Sequence, residues 1–485
     1  MPKISPPPAV CWFRDELRLG DNRALEAAIA SGAPVIALYV HDEKSPGIRP
    51  LGGAAKWWLH HSLAALAASL ENAGASLTIL EGAAGDVVPA FAKAVGAPRV
   101  TWSRRYGQAE RDIDAAIKAN LVAQGIAAES FCDRLLADPW TLTTQSGTPF
   151  RVYSPFYRAL SALGDPAPPL PAPRKIKGVD PALLPRAHRV QLDDLALRPR
   201  IAWDTGMAET WPPGEAGAAA RLDDFMANGL KGYAEGRDRP DLAHVSRLSP
   251  HLRFGEISPR QIWHRLVGGK AAPASKDRAK FLAEIGWREF AYHLLFHNPD
   301  LATRNFAPRF DAFPWTQAPG ALRAWQKGRT GIPIVDAGMR ELWHTGYMHN
   351  RVRMIVASFL VKHLLIDWRQ GEAWFWDTLC DADVANNPAS WQWVAGSGAD
   401  AAPYFRVFNP VLQALKFDPD GAYIRRWVPE IARLPLPHLF KPWDAPAAVL
   451  QAAGVRVGST YPHPVVGLDA GRAAALAAFA QLPKA

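Results

Sequence analysis

The stretch AVCWFRDELRLGDN, residues 9–22, opens on five apolar or aromatic residues and then turns abruptly charged. A run of that length and make-up, Ala9 to Phe13, reads as a strand buried on both faces. Four similar runs follow: PVIALYV (34–40), SLTIL (76–80), RVTW (99–102) and IAAESF (126–131). Between them, Lys56 to Asn72 and Glu110 to Gln124 carry apolar residues at helical spacing, Leu63, Leu66 and Leu70 among them. The alternation predicts a doubly wound parallel sheet. The charged half of the stretch matters as much. Arg14 to Gly20 lacks the glycine pattern that lets a backbone approach a dinucleotide pyrophosphate, so a large cofactor is expected elsewhere in the chain.

Working outward, Pro166, Pro168, Pro169, Pro171 and Pro173 crowd one short segment, which suits an extended connector and excludes helix or sheet ladders. Beyond Trp203 the strand patterns vanish. Long helical patterns run from Ala218 to Leu230, Ser275 to Phe296 and Gly338 to Leu365. The expected fold class is therefore α/β plus all-α. An N-terminal Rossmann-like domain occupies 5–135, a Pro-rich connector 136–205 and a helical domain 206–485.

Composition agrees with a globular protein of this size: 485 residues, 48% apolar, 21% charged and a formal net charge of +9. The positive excess is spread along the chain and favours polyanionic partners only weakly. Cys11, Cys132 and Cys380 are too few and too far apart for a disulfide framework or a zinc site, so no metal is expected and a reducing compartment fits. No secretory leader or membrane-spanning run is read; the most apolar helix, Met354 to Trp368, is interrupted by Lys362-His363. A cytoplasmic monomer is expected.

Chemistry-bearing residues gather in the second half. Ser246-Arg247-Leu248-Ser249-Pro250 reads as a helix mouth with Ser249 as cap and Pro250 at the first helical position, an end that attracts phosphate. The same pattern at Ser258-Pro259 shows that an ordinary capped helix explains it equally. Glu284 and Trp287, three apart, share a helix face, as do Asn350 and Met354, four apart. Each pair could belong to a core, with Glu284 simply paired to Arg288. The stretch Asp381 to Trp393 is harder to dismiss, since it sets acids and amides before Trp391 and Trp393. Two residues apart on a helix, these indoles point about 200° apart and meet different surroundings.

With these residues in view, Trp12 to Asn22, Ser246 to Pro250, Trp287 to Phe290, Thr345 to Met354 and Asn387 to Pro410 together resemble the photolyase and cryptochrome family. The likeness runs from about residue 9 to residue 465, and it is greatest to bacterial class I cyclobutane pyrimidine dimer photolyases. It implies a flavin enzyme that splits UV-induced dimers in DNA by electron transfer from photoexcited reduced FAD. The N-terminal lobe would serve an antenna chromophore and the helical lobe would hold FAD.

By motif match, the resemblance assigns Tyr233, Val245, Ser246, Arg247, Leu248, Ser249, Arg353, Asp381, Ala382, Asp383 and Asn387 to FAD. Within that set Arg353 partners Asp381, and Asn387 lies beside flavin N5. Glu284 would hydrogen-bond the extruded base, with Trp287 and Trp393 as the aromatic wall. Asn350, Arg351 and Met354 would line the same cavity, Arg237 and Gln413 would contact the strand, and Arg288 would lie near the lesion. Trp391, Trp368 and Trp315 match a relay of indoles through which the flavin is photoreduced.

Three departures from the family pattern stand out. Val245 replaces a common Thr, Ala109 replaces the Asn usually paired with Glu110, and Ala302-Thr303 replace polar or basic contacts of folate-binding members. The second chromophore therefore stays open between methenyltetrahydrofolate, a deazaflavin, another flavin or none. The rival reading is a cryptochrome-type blue-light photoreceptor. Asn387 in place of an Asp, and no long C-terminal extension after residue 465, favour repair. A (6-4) photolyase would show His near Asn350 and Met354, whereas His349 falls on a different helix face. A dark flavin oxidoreductase would need a nicotinamide site, and no dinucleotide fingerprint is present.

Overall fold

The computed structural model describes residues 6–268, 275–401 and 405–483. Residue 5 and residues 484–485, at the limits of the expected domains, and residues 402–404 of the Asn387 to Pro410 motif lie outside the described residues. The chain separates into two compact units, one comprising 1–202, 211–227 and 246–299, the other 203–210, 228–245 and 300–485.

In the first unit the five expected strands form as β1 (Ala9–Phe13), β2 (Val35–His41), β3 (Leu77–Glu81), β4 (Arg99–Ser103) and β5 (Ala127–Phe131). They make one parallel sheet of order β3-β2-β1-β4-β5, with Ala9 opposite Val35 and Trp12 opposite Trp102. Helices α1 (Arg23–Ala30), α2 (Gly53–Ala73), α3 (Ala84–Ala94) and α4 (Gln108–Ala123) cover it. Every residue of β1 and β2 is buried, which is why these strands read as unbroken apolar runs.

The turn after β1 explains the missing glycines. Arg18 is fully buried and donates to the carbonyls of Gly20 (2.9 Å), Asp21 (2.7 Å), Asp133 (2.8 Å) and Gly255 (2.8 Å). A guanidinium tied to four carbonyls fills the place where a dinucleotide fold keeps open backbone for phosphate. Further along, α5 (Tyr153–Ser161), α6 (Glu215–Asp224), α7 (Ser249–Arg253), α8 (Pro259–Val267) and α9 (Lys276–His297) complete this unit. Ser258 caps α8 in a reciprocal box with Gln261, and Ser275 caps α9. Ser249 does not cap α7. Arg247 adopts a left-handed φ of 53°, the turn tightens, and Leu248 takes the cap position, so Ser249 is already helical.

The second unit is helical: α10 (Pro333–Thr345), α11 (Asn350–Lys362), α12 (Trp368–Thr378), α13 (Asn386–Ala395), α14 (Pro410–Phe417) and α15 (Leu468–Ala480) are its main members. The single helix expected over Gly338 to Leu365 is broken into α10 and α11. Gly346 leaves α10 with a φ of 65°, where an added Cβ would come within 2.5 Å of Cys380 Sγ. The chain then restarts at His349, whose Nδ1 accepts from Arg351 N at 3.2 Å. Trp325, Trp368, Phe375 and Trp391 lie in one apolar core with the buried faces of α10 to α13.

Candidate flavin and nucleic-acid site

In the second unit, α11 and the turn before α13 bring Arg353 and Asp381 together. The guanidinium donates twice, Nη1 to Oδ1 at 3.0 Å and Nη2 to Oδ2 at 2.8 Å, while Nε donates to Met348 O at 2.7 Å. Burial opposes the Arg353 charge, but Asp381 outweighs it and raises the Arg353 pKa. Such a bidentate pair fixes both side chains in plane. Asp383 turns the chain into α13 by accepting from Ala385 N (2.9 Å) and Asn386 N (2.5 Å), with Ala382 buried between the two acids.

Asn387, on the first turn of α13, is 8% exposed. Its Nδ2 donates to Glu372 Oε1 at 2.8 Å and to Glu372 O at 3.1 Å. With both amide protons engaged on α12, the group left to present is the neutral carbonyl Oδ1, an acceptor without charge. An uncharged acceptor is what the ring N–H of a reduced flavin fits. The buried indole Nε1 of Trp391, with no partner among the described residues, is a second polar atom waiting for one.

Trp391 is wedged between Phe375 at 4.9 Å and Trp325 at 6.2 Å, both edge-on. Trp368 is fully buried and donates Nε1 to Asn305 Oδ1 at 2.9 Å. Trp315 is partly buried and packs on Phe313 at 4.3 Å, against the same core. The three matched indoles thus run through one core, from interior to partly exposed. Trp393, two residues on, is only half-buried and packs against the edge of that same core, so the two indoles do not part company as fully as the helix geometry predicts; its Nε1 donates to Asp400 O at 3.0 Å.

Asn350 is exposed, and Met354 and Gln413 are half-buried. Arg351 donates Nη2 to Asp238 Oδ2 at 2.9 Å and lies 4.4 Å over the Phe417 ring, while Arg237 stands 4.0 Å from Asp238 and 5.5 Å over Tyr233. One carboxylate therefore serves two of the matched cations. His349 sits among them. Burial, then Arg351, Arg353 and Arg237 against the pull of Asp238, bring its pKa down to about 4, so it is neutral at pH 7. Val245 is half-buried in this unit.

The remaining matched residues belong to the first unit. Ser246 Oγ accepts from Leu248 N at 3.4 Å, and Arg247 lies 4.9 Å over Trp211. On α9, Glu284 pairs with Lys280 at 3.3 Å, not with Arg288. Trp287 stacks flat on Tyr153 at 3.7 Å. Arg288 is turned inward, donating to Arg134 O at 2.7 Å and to Glu289 at 3.3 Å. At the antenna positions, Glu110 closes the start of α4 by accepting from Gly107 N at 3.0 Å, beside Arg105 at 3.6 Å. Glu372 and Asp238 were not anticipated from sequence; neither lies in a motif, and Asn387 and Arg351, which they hold, are 15 and 113 residues away in the chain.

Comparison with known proteins gives two family models: DNA photolyase over residues 9–174 and the FAD binding domain of DNA photolyase over residues 281–481. A deoxyribodipyrimidine photo-lyase of Agrobacterium fabrum is 51% identical over 98% of both chains. Cryptochrome-1 of Arabidopsis thaliana is 39% identical over 98% of this chain and 70% of its own. A crystal structure of a bacterial class III photolyase from Agrobacterium tumefaciens superposes with a TM-score of 0.94 at 50% identity, covering 99% of this chain and 98% of that one. The expected likeness to class I is corrected accordingly: the chain's 50% identity is to a photolyase described as class III. The motifs behind it spell out flavin and lesion contacts, and such contacts do not separate one subclass from another.

Proposed function

Because this chain belongs to the DNA photolyase family, we propose that it is a light-dependent deoxyribodipyrimidine photo-lyase that repairs cyclobutane pyrimidine dimers in UV-damaged DNA. The observation that carries the proposal is Asn387, held by Glu372 so that only an uncharged acceptor remains. A carboxylate there would oppose the negative charge of a reduced flavin; an amide carbonyl does not.

Bound here in reduced form and excited by light, FAD would supply the electron that opens the dimer, chemistry beyond any side chain in water. Arg353, Asp381, Ala382, Asp383 and Asn387, with Tyr233, Val245, Ser246, Arg247, Leu248 and Ser249, would hold it. Trp315, Trp368 and Trp391 would carry electrons inward one indole at a time, each able to lose an electron without breaking a bond. Base-flipping enzymes, photolyases among them, take the target out of the stack. Trp287 and Trp393 would stack on the extruded dimer, and Glu284 would accept from a ring N–H. Asn350 and Met354 would complete the wall. Arg237, Arg351 and Gln413 would set the register on the strand through contacts that read no sequence. Arg288, turned inward, would act on the lesion only through its neighbours.

No helix among the described residues is long and apolar enough to cross a membrane. With three free cysteines, we place the protein in a reducing cytoplasm as a monomer, which gel filtration tests. The deciding experiment follows thymine-dimer oligonucleotides with and without blue light. Repair confined to the illuminated, reduced holoprotein is expected. Intact dimers after illumination would sink the reading and leave the photoreceptor alternative.

A further inference from the structure

A cavity within the second unit is bordered by Arg309, Lys362, Phe405, Arg406 and Phe479, with Ser358 on its wall and Trp393 at its edge. We propose that this cavity binds a phosphate-type oxyanion, a ligand that accepts hydrogen bonds and donates none.

The chemistry of the walls is one-sided. Among the described residues no carboxylate lies within ion-pair distance of Arg309, Lys362 or Arg406. Each cation is instead steadied on an aromatic face: Lys362 Nζ 4.5 Å from the Phe405 ring, Arg309 5.5 Å from Phe479, and Arg406 4.9 Å from Phe408. Phe405 and Phe479 are themselves stacked at 4.5 Å, which gives the shelf rigidity. Ring faces hold a cation in place without neutralising it.

Lys362 is 5% exposed, and its one hydrogen bond runs from Nζ to Arg406 O at 2.6 Å. An ammonium has three donors, so two remain unused. Ser358 Oγ accepts from Phe408 N at 3.4 Å, leaving the hydroxyl proton free to donate. Buried donors and uncompensated cations are costly unless an acceptor with negative charge joins them. Burial first, and Arg406 second, bring the Lys362 pKa down to about 7. The charged or titratable groups around it, Arg309, Arg406 and His363, are all basic and offer no relief. A phosphate oxyanion supplies both the missing charge and the missing acceptors. It could arrive on a nucleic-acid backbone or as a free nucleotide, since the recognising chemistry is the same. The inference rests on this cavity and not on the flavin reading.

The test uses the full-length protein and inorganic phosphate, titrated calorimetrically and by the ε-carbon resonance of Lys362. We expect saturable binding, an upward move of the Lys362 titration midpoint on adding phosphate, and at least a tenfold loss of affinity in Lys362→Met and in Arg309→Gln. Arg426→Gln, at an exposed position, should bind as the parent does. With binding established, loss of the phosphate signal on adding an undamaged oligonucleotide assigns the strand backbone, and persistence of the signal together with binding of AMP assigns a free nucleotide. No saturable binding, or affinity unchanged in both Lys362→Met and Arg309→Gln, overturns the proposal.

Discussion

Single side chains set the sharpest expectations. Asp381→Asn removes the charge from a two-bond pair whose acid is nearly buried, and leaves Arg353 with one weaker partner. Loss of a charge-assisted bond of this kind costs about 2 kcal/mol. A lower melting temperature is expected, together with a reduced ratio of flavin to protein absorbance after purification. Lys362 sets the opposite kind of expectation. Its folded pKa of about 7 lies below the ordinary lysine value of ~10.4, so between these values the unfolded chain holds a proton that the native state has shed. Stability therefore rises with pH across that window, and the full penalty applies below about pH 7. Lys362→Met carries no such charge. It should be more stable than the parent at pH 6 by roughly 2 kcal/mol, an advantage that fades toward pH 10 in calorimetric scans.

At the scale of elements, α12 and α13 touch through Gly371. A Cβ placed there would meet the Trp391 ring at 2.2 Å and Leu360 at 2.6 Å. Gly371→Ala should therefore displace the indole, destabilise the protein by about 1–3 kcal/mol and slow flavin photoreduction. Trp368→Phe provides the comparison: photoreduction blocked, with a loss of about 1–3 kcal/mol from the cavity and the lost bond to Asn305, while chemically reduced enzyme still repairs. The central strands Ala9–Phe13 and Val35–His41 were legible because a strand buried on both faces announces itself locally. The break between α10 and α11 was not, because apolar spacing continues through it and periodicity carries no sign of φ at Gly346. The start of α7 was misjudged for a similar reason, the left-handed Arg247. The Arg353–Asp381 pair came from the family motif. Glu372 and Asp238 escaped because they lie 15 and 113 residues from Asn387 and Arg351, and only folding makes them neighbours.

For the molecule as a whole, a net charge of +9 makes binding to DNA an ionic-strength question. If Arg237 and Arg351 each neutralise a phosphate, log affinity should fall against log salt with a slope of at least about −1.8, as each contact contributes roughly −0.9. Filter binding or anisotropy across a salt series measures it, and a flat response would remove both arginines from the strand interface. Asp238 gives that slope a further meaning. Sitting against both guanidinium groups, it would act as a built-in dummy anion that a backbone arriving at them must evict. The grip on any strand would thereby be discounted in advance, and Asp238→Asn should bind intact and damaged duplex alike more tightly.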